Sequence, residues 1–374
     1  MNCNFKSVAL ATALVFSASQ ASAATQLGEY VTFSGFGTLG LTQTSDDRVQ
    51  FARDRQIPGA TNSIDYNVDS NLGAQLTAAP TKWLSGTVQM LAMHRNVANI
   101  STEIEWAFVK AEPIKGLSIR AGRMALPMFA ISDFRNVGYA NTWVRPPDEV
   151  YGLALLRRLE GADATYRLPI GSTSLSLSVL GGKSSFYSST TNLLTHLDKV
   201  KGANLQWESD WVTVRVGRVK GIVDLSASTT GLKEDPYTFS GIGAMVDHNN
   251  IVAQAEYVTR RSENNPTRID ANGWYVLGGY RFNAVLPYVS YASTRPVDST
   301  PIFHYSGKQT TLAAGVRWDA FKSAAIKFQI QRVDAHDTTG LSFVLQGTTV
   351  GRTTTYVPVT SPVNVASLNL DFVF

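Results

Sequence analysis

The sequence predicts an all-β fold, a transmembrane antiparallel β-barrel of about 16 strands within residues 24–374. Three observations predict it. Read backwards from Phe374, every second residue is apolar (Phe372, Leu370, Leu368, Ala366), while the interleaved Val373, Asp371, Asn369, Ser367 and Val365 are mostly polar. Such a strand separates an apolar medium from a wet one. The connections between alternating segments are by turns short and long, the rhythm of an up-and-down barrel. Finally, mean hydropathy is −0.05, and no apolar run of about 20 residues, the length of a membrane helix, follows the amino terminus.

Residues 1–23 read as a secretory signal: Lys6 precedes the apolar SVALATALVFSAS, and Ala21-Ser22-Ala23 offers the small-residue cleavage site. The barrel domain then occupies residues 24–374. Cys3 precedes the apolar run instead of closing it, which argues against a lipid anchor. It is the single cysteine, so the processed chain has no disulfide.

Period-2 alternation places strands near 29–42, 66–79, 85–95, 103–112, 117–124, 157–168, 172–182, 199–208, 211–220, 238–247, 250–261, 272–282, 285–294, 309–318, 323–334 and 364–374. Short turns such as 79–82, 112–116, 168–171, 209–210, 248–249 and 283–284 follow even-numbered strands. Long links follow odd-numbered ones, notably 43–65, 125–156, 221–237 and 335–363. An even strand number puts both barrel ends on the short-turn, periplasmic side. Trp83, Trp207, Trp211, Trp318, Phe282, Phe321 and Phe372 lie near those turns, as an interfacial aromatic girdle would.

Parity also assigns faces. Val212, Val214 and Val216 share one side of their strand, Thr213 and Arg215 the other; Ile326, Phe328 and Ile330 oppose Lys327, Gln329 and Gln331. A lipid-facing Arg or Lys at the bilayer centre costs about 2–4 kcal/mol, so the polar sets face the lumen. This turns Arg120, Arg167, Arg215, Arg260, Arg281, Arg317 and Lys327 inward, with Glu105, Asp163, Glu208, Glu256 and Asp371. So charged an interior is water-filled or a network of ion pairs.

Composition excludes several classes of function. The formal charge of +4 falls to +3 when Lys6 is removed, too little to argue for nucleic acid. The five histidines have no metal-ligand spacing, no G-x-S-x-G elbow is present, and nothing calls for a cofactor. An enzyme is therefore not expected.

Through the signal, the strand rhythm, the ending SLNLDFVF and the segment IRAGRMALPMF, the chain resembles the Gram-negative outer-membrane porins. The resemblance implies an outer-membrane channel for passive diffusion of small hydrophilic solutes and ions. It also implies a homotrimer, contacts with outer-membrane lipid and lipopolysaccharide, and delivery by the outer-membrane assembly machinery. In porins the long loop after the fifth strand folds into the pore. Here that loop carries Asp133, Arg135, Arg145, Asp148 and Glu149, which the resemblance sets opposite Arg120, Arg167 or Arg215, and Pro146-Pro147 would stiffen it.

Other readings stay open. One is a channel selective for anionic or sugar-like solutes, with Phe129, Phe134, Tyr139, Trp143 and Tyr151 as stacking groups. Another is a non-conducting structural barrel. Arg123 faces lipid by parity unless a bulge at Gly122 turns it inward. Gly35 and Gly37 flatten the outer face of the first strand, which makes it and the adjoining last strand candidates for a subunit contact.

Overall fold

The computed structural model describes residues 24–53, 56–95, 100–154, 156–188, 193–224, 234–263, 270–297, 307–336, 339–344, 346–350, 353–357, 359 and 362–374. The expected signal segment lies outside these residues.

The chain opens with a short strand, β1 (Ala24–Leu27), followed by β2 (Val31–Thr44), β3 (Asn71–Ala78), β4 (Leu84–His94), β5 (Ile100–Ile114) and β6 (Leu117–Ala125). After a long insertion come β7 (Arg158–Ile170), β8 (Thr173–Ser188), β9 (Leu193–Glu208), β10 (Val212–Asp224), β11 (Glu234–His248) and β12 (Ile251–Ser262). Then follow β13 (Ala271–Tyr280), β14 (Val285–Pro296), β15 (Gln309–Phe321), β16 (Ala324–Asp334), an outer hairpin of β17 (Gln346–Val350) and β18 (Thr353–Val357), and β19 (Val363–Val373). Strands β2 to β16 pair antiparallel in sequence order, and β19 joins β16 to β2, closing a barrel of sixteen strands.

Each of the sixteen expected segments coincides with one barrel strand. The short turns close because left-handed positions fall on residues that tolerate them: Gly116 (φ 85°), Gly171 (φ 60°), Asn249 (φ 47°) and Asn283 (φ 54°). The sequence reading ends β8 too early and begins β9 too late, both on the loop side. Gly182, with its φ of 158°, and Lys199, at φ 51°, interrupt the period there and shift the pairing register, so alternation beyond them changes phase. The same reading also treats β17 and β18 as loop, where they form a separate two-stranded sheet.

The two faces separate as parity requires. Leu39, Leu72, Val88, Val109, Leu177, Val216, Val289, Leu312, Phe328 and Leu368 are exposed on the outside. Thr38, Gln89, Asn204, Glu256, Gln329 and Asp371 are buried on the inside. Near the seam, the rings of Phe374 and Phe372 cover Gly35 and Gly37, where a Cβ would meet them at 2.2 and 2.5 Å. These glycines thus seat the chain's own aromatics, which removes the flat surface expected there.

Arg123 faces outward, opposite Glu160 in the register of β6 and β7, and the two are salt-bridged. Its guanidinium also donates to the Ile104 carbonyl at 3.2 Å, beside the register shift of β4 and β5 that leaves this carbonyl accessible. Parity alone gives the correct side.

Candidate functional site

Residues 126–157, between β6 and β7, pack against the inner wall. Their described residues contain a single 3-10 turn (Gly138–Ala140) and one helical turn, α1 (Asp148–Tyr151). An irregular segment has backbone carbonyls that no ladder satisfies, and each needs a donor once water is excluded. The wall supplies them. Arg215 donates to the carbonyls of Phe129 (2.9 Å) and Pro127 (3.0 Å), and Arg260 to that of Leu153 (3.0 Å). Arg317 donates to Tyr139 and Asn141, both at 2.8 Å. The ammonium of Lys327 reaches the carbonyls of Gly138 (2.7 Å), Asn141 (2.6 Å) and Trp143 (3.0 Å), and pairs with Asp371 at 2.8 Å. In the opposite sense Glu256 accepts from the Ala130 N–H (2.9 Å) and the Tyr151 hydroxyl (2.7 Å).

Apolar packing fills the remaining contact. Met128, Phe129, Ile131, Trp143, Val150, Tyr151 and Leu153 join one core with Phe239, Val258, Tyr275, Leu277 and Tyr288 of the wall. Trp143 meets Tyr275 edge-on at 5.2 Å, and Phe129 meets Phe239 at 5.2 Å. Gly273 permits the close approach of α1, since a Cβ there would lie 2.2 Å from the Glu149 carbonyl.

Four of the five expected loop charges do not face open lumen. Arg145 is buried behind the loop, bonded to Asp69, to Gln331 (3.1 Å) and to Thr42 (3.2 Å), with Phe51 of the first outer loop stacked on its guanidinium at 4.9 Å. Asp148 accepts from the Ser342 hydroxyl at 2.9 Å. Glu149 accepts from Gln309 at 2.7 Å and from Thr311. Burial pushes the Glu149 carboxyl up, against these hydrogen bonds, which pull it down. Arg135 is also buried, its guanidinium over the rings of Tyr151 (5.5 Å) and Phe129 (6.0 Å). Asp133 alone of the five is only partly buried, and it acts electrostatically on both Arg120 and Arg215.

The expected wall charges divide similarly. Arg120 is forked onto Asp163 (3.0 and 3.1 Å from Nε) and lies over Phe108 at 5.4 Å. Arg167, half-exposed, pairs with Glu208 at 3.2 Å, and Arg281 with Asp247 at 3.0 Å near the short turns. Glu105 lies 3.8 Å from Arg95. Arg215, Arg260, Arg317, Lys327 and Glu256 hold the loop in the contacts above.

Sequence reasoning missed Asp69, Gln309, Thr311 and Ser342. Asp69 shares the inward parity of Asn71 and Gln75, so its direction was readable. Its partner, from another segment, was not. The stacking role expected of the loop aromatics also meets a difficulty, because Phe129, Phe134, Trp143 and Tyr151 are buried in packing.

A closed barrel with a lipid-facing outer surface and a long segment held against its inner wall defines a membrane channel of the outer-membrane type. The sequence model of the Gram-negative porins matches residues 9–357, and the chain belongs to this family. It is thus an outer-membrane channel for passive diffusion of small solutes. No curated protein matches it in sequence.

Among solved structures, OmpF of Salmonella typhi, in complex with daunomycin, is 15% identical, with a TM-score of 0.61 over 92% of this chain and 97% of that one. The anion-selective porin of Comamonas acidovorans is 10% identical, with a TM-score of 0.58 over 92% and 99%. The trimer form of OmpT from Vibrio cholerae is 13% identical, with a TM-score of 0.54 over 92% and 100%. At these identities the likeness concerns the fold.

Proposed function

We propose that residues 126–157 set the waist of this porin, and that Asp133 facing Arg120 and Arg215 supplies its transverse field. The supporting observation is that Asp133 is the one expected loop carboxylate not fully buried, within electrostatic reach of two wall cations. Opposed fixed charges in a narrow aqueous passage orient dipolar solutes and bias ion concentrations. Replacing Asp133 by Asn removes the negative side of that field and should move reversal potentials in asymmetric salt towards anions. Planar-bilayer recordings check this, and unchanged potentials would place the selective charge elsewhere.

The functional unit we propose is a homotrimer joined through β2–β5. Outward positions of these strands, including Leu39, Leu72, Leu76, Val88, Met90 and Val109, carry no charge among the described residues. An apolar, uncharged arc suits a permanent subunit contact.

A further inference from the structure

The packing of α1 does not account for its two carboxylates. Asp148 and Glu149 are both buried, and the charge of nearby Arg145 is already matched by Asp69. Their side-chain donors include the hydroxyls of Ser342 and Thr311 and the amide of Gln309. Neutral amides at positions 148 and 149 would accept the same hydrogen bonds. Burying a carboxylate is more costly than burying an amide, so packing alone favours Asn and Gln here.

What covers these acids comes from elsewhere in the chain. Residues 339–344, in the long outer link between β16 and β19, lie against α1 and are joined to it through Gln309 of β15. The Gln309 amide is fully used: Nε2 donates to Glu149 (2.7 Å) and to the Ser342 hydroxyl (2.8 Å), and Oε1 accepts from the N–H groups of Leu341 (2.8 Å) and Ser342 (3.1 Å). The Ser342 hydroxyl donates to Asp148 at 2.9 Å. Gly340, left-handed at φ 53°, brings the segment onto that amide, and a Cβ there would strike Gln309 Oε1. The same segment is tied to the first outer loop. The Ala52 N–H donates to the Ser342 carbonyl (2.8 Å), the Val344 N–H donates to the Gln50 carbonyl (2.9 Å), and Phe343 meets Phe51 edge-on at 6.1 Å.

We propose that residues 339–344 are a strap that withholds two negative charges from the channel, with Ser342 and Gln309 as its positioning residues. Irregular backbone held by a few single bonds opens more readily than a strand ladder, so the strap can lift while the barrel stays intact.

With the strap down, Asp133 is the loop's one acid that acts on the aqueous path. A cavity lined in part by Trp143, Arg145, Asp148, Glu149, Gln331 and Ser342 lies beneath it. Lifting the strap opens this cavity to the outer vestibule and adds both carboxylates to the wall beside the waist. Burial holds the Glu149 carboxyl above its ordinary range, and uncovering returns it to that range, where it is ionised at neutral pH. Two added fixed anions raise the local cation concentration and turn the porin towards cations. The strap thereby sets selectivity without touching the permeating ion. This inference rests on the reading that residues 126–157 set the waist.

The test uses full-length, signal-processed protein in planar bilayers, with reversal potentials read in asymmetric potassium chloride. Gly340→Val lifts the strap without removing a donor to either acid, and Ser342→Val with Gln309→Leu removes a donor from each. Both should raise the cation-to-anion permeability ratio at least about twofold. Ser342→Thr, which keeps the hydroxyl, should give the wild-type ratio. Adding Asp148→Asn and Glu149→Gln to Gly340→Val should abolish the shift. A shift that survives this addition, or no shift in either strap variant, overturns the proposal. A second measurement needs no variant. In folded wild-type protein, a water-soluble carbodiimide with glycinamide should label Asp133 at least about tenfold faster than Asp148 or Glu149, as read by peptide mass spectrometry. Equal labelling also overturns the proposal. Asp133→Asn recorded alongside separates the two readings, because a shift towards anions there with none in the strap variants sinks the strap and leaves the waist standing.

Discussion

Lys327 is fully buried on the inner wall, and its ammonium is matched by three carbonyls of the inserted loop and by the equally buried Asp371. Removing one partner of such a pair leaves an uncompensated charge, at about 3–5 kcal/mol. Lys327→Met should therefore lower the denaturant midpoint of detergent-folded protein sharply. Lys327→Met with Asp371→Leu should recover part of the loss. At Glu149 the sign is different. Its carboxyl is pushed up by burial, so its contribution to stability is fully present below the ordinary carboxylate range and is lost as pH rises through the elevated value. Glu149→Gln keeps an acceptor for Gln309 and Thr311 and should flatten that slope in unfolding measured from pH 4 to 8, with reversal potentials close to wild type. Parity gave the inward direction of Lys327, Arg215, Arg260 and Arg317. It could not reveal that loop carbonyls fill the space these cations enter, because alternation fixes where a side chain points and not what it meets.

The inserted segment is an element whose order comes from its surroundings. Its two short turns are too brief to be stable alone, so wall cations and aromatic packing must hold the intervening backbone. A hydrogen bond from a charged donor contributes about 1.5–3 kcal/mol. Arg215→Ala combined with Arg317→Ala releases the carbonyls of Pro127, Phe129 and Tyr139 and leaves that of Asn141 to Lys327 alone. Single-channel traces of this variant should show larger mean conductance and more open-state noise, while the barrel still migrates as folded on unheated gels. Quiet traces at wild-type conductance would mean that apolar packing alone fixes the loop. The strands themselves were legible because lipid and water impose a strict period on them. Beyond Gly182 and Lys199 that constraint lapses, and with it the sequence signal.

Across the whole molecule, closure depends on a seam between β19 and β2. The Gly35 N–H donates to the Phe374 carbonyl (2.7 Å), and the Phe374 N–H donates to the Gly35 carbonyl (3.0 Å). The Phe374 ring also covers Gly35 and packs 5.8 Å from Phe33. Deleting Phe374 forfeits about 1.5–3 kcal/mol of apolar burial and two backbone bonds of about 0.5–1.5 kcal/mol each. The variant should refold in detergent to a barrel with a slightly lower midpoint, yet reach the outer membrane poorly, as quantified in membrane fractions. Gly35→Leu tests the seam from the other side. It would expel the phenyl ring and lower the unfolding midpoint without requiring any change in subunit number. The terminal alternation was visible in the sequence; the pairing of each aromatic with a glycine across the seam required the register.

The same edge of β2 has a topological consequence. Along it, Val365 to Phe374 face Thr44 down to Gly35, and Ala24 to Leu27 continue opposite Ser34 down to Val31. Residues 374 and 24 thus occupy consecutive places along one edge, and in a chain without residues 1–23 they would form one strand with a nick. A short peptide joining them should make a circularly permuted barrel, with new ends opened in an outer loop and every rung of the ladder preserved.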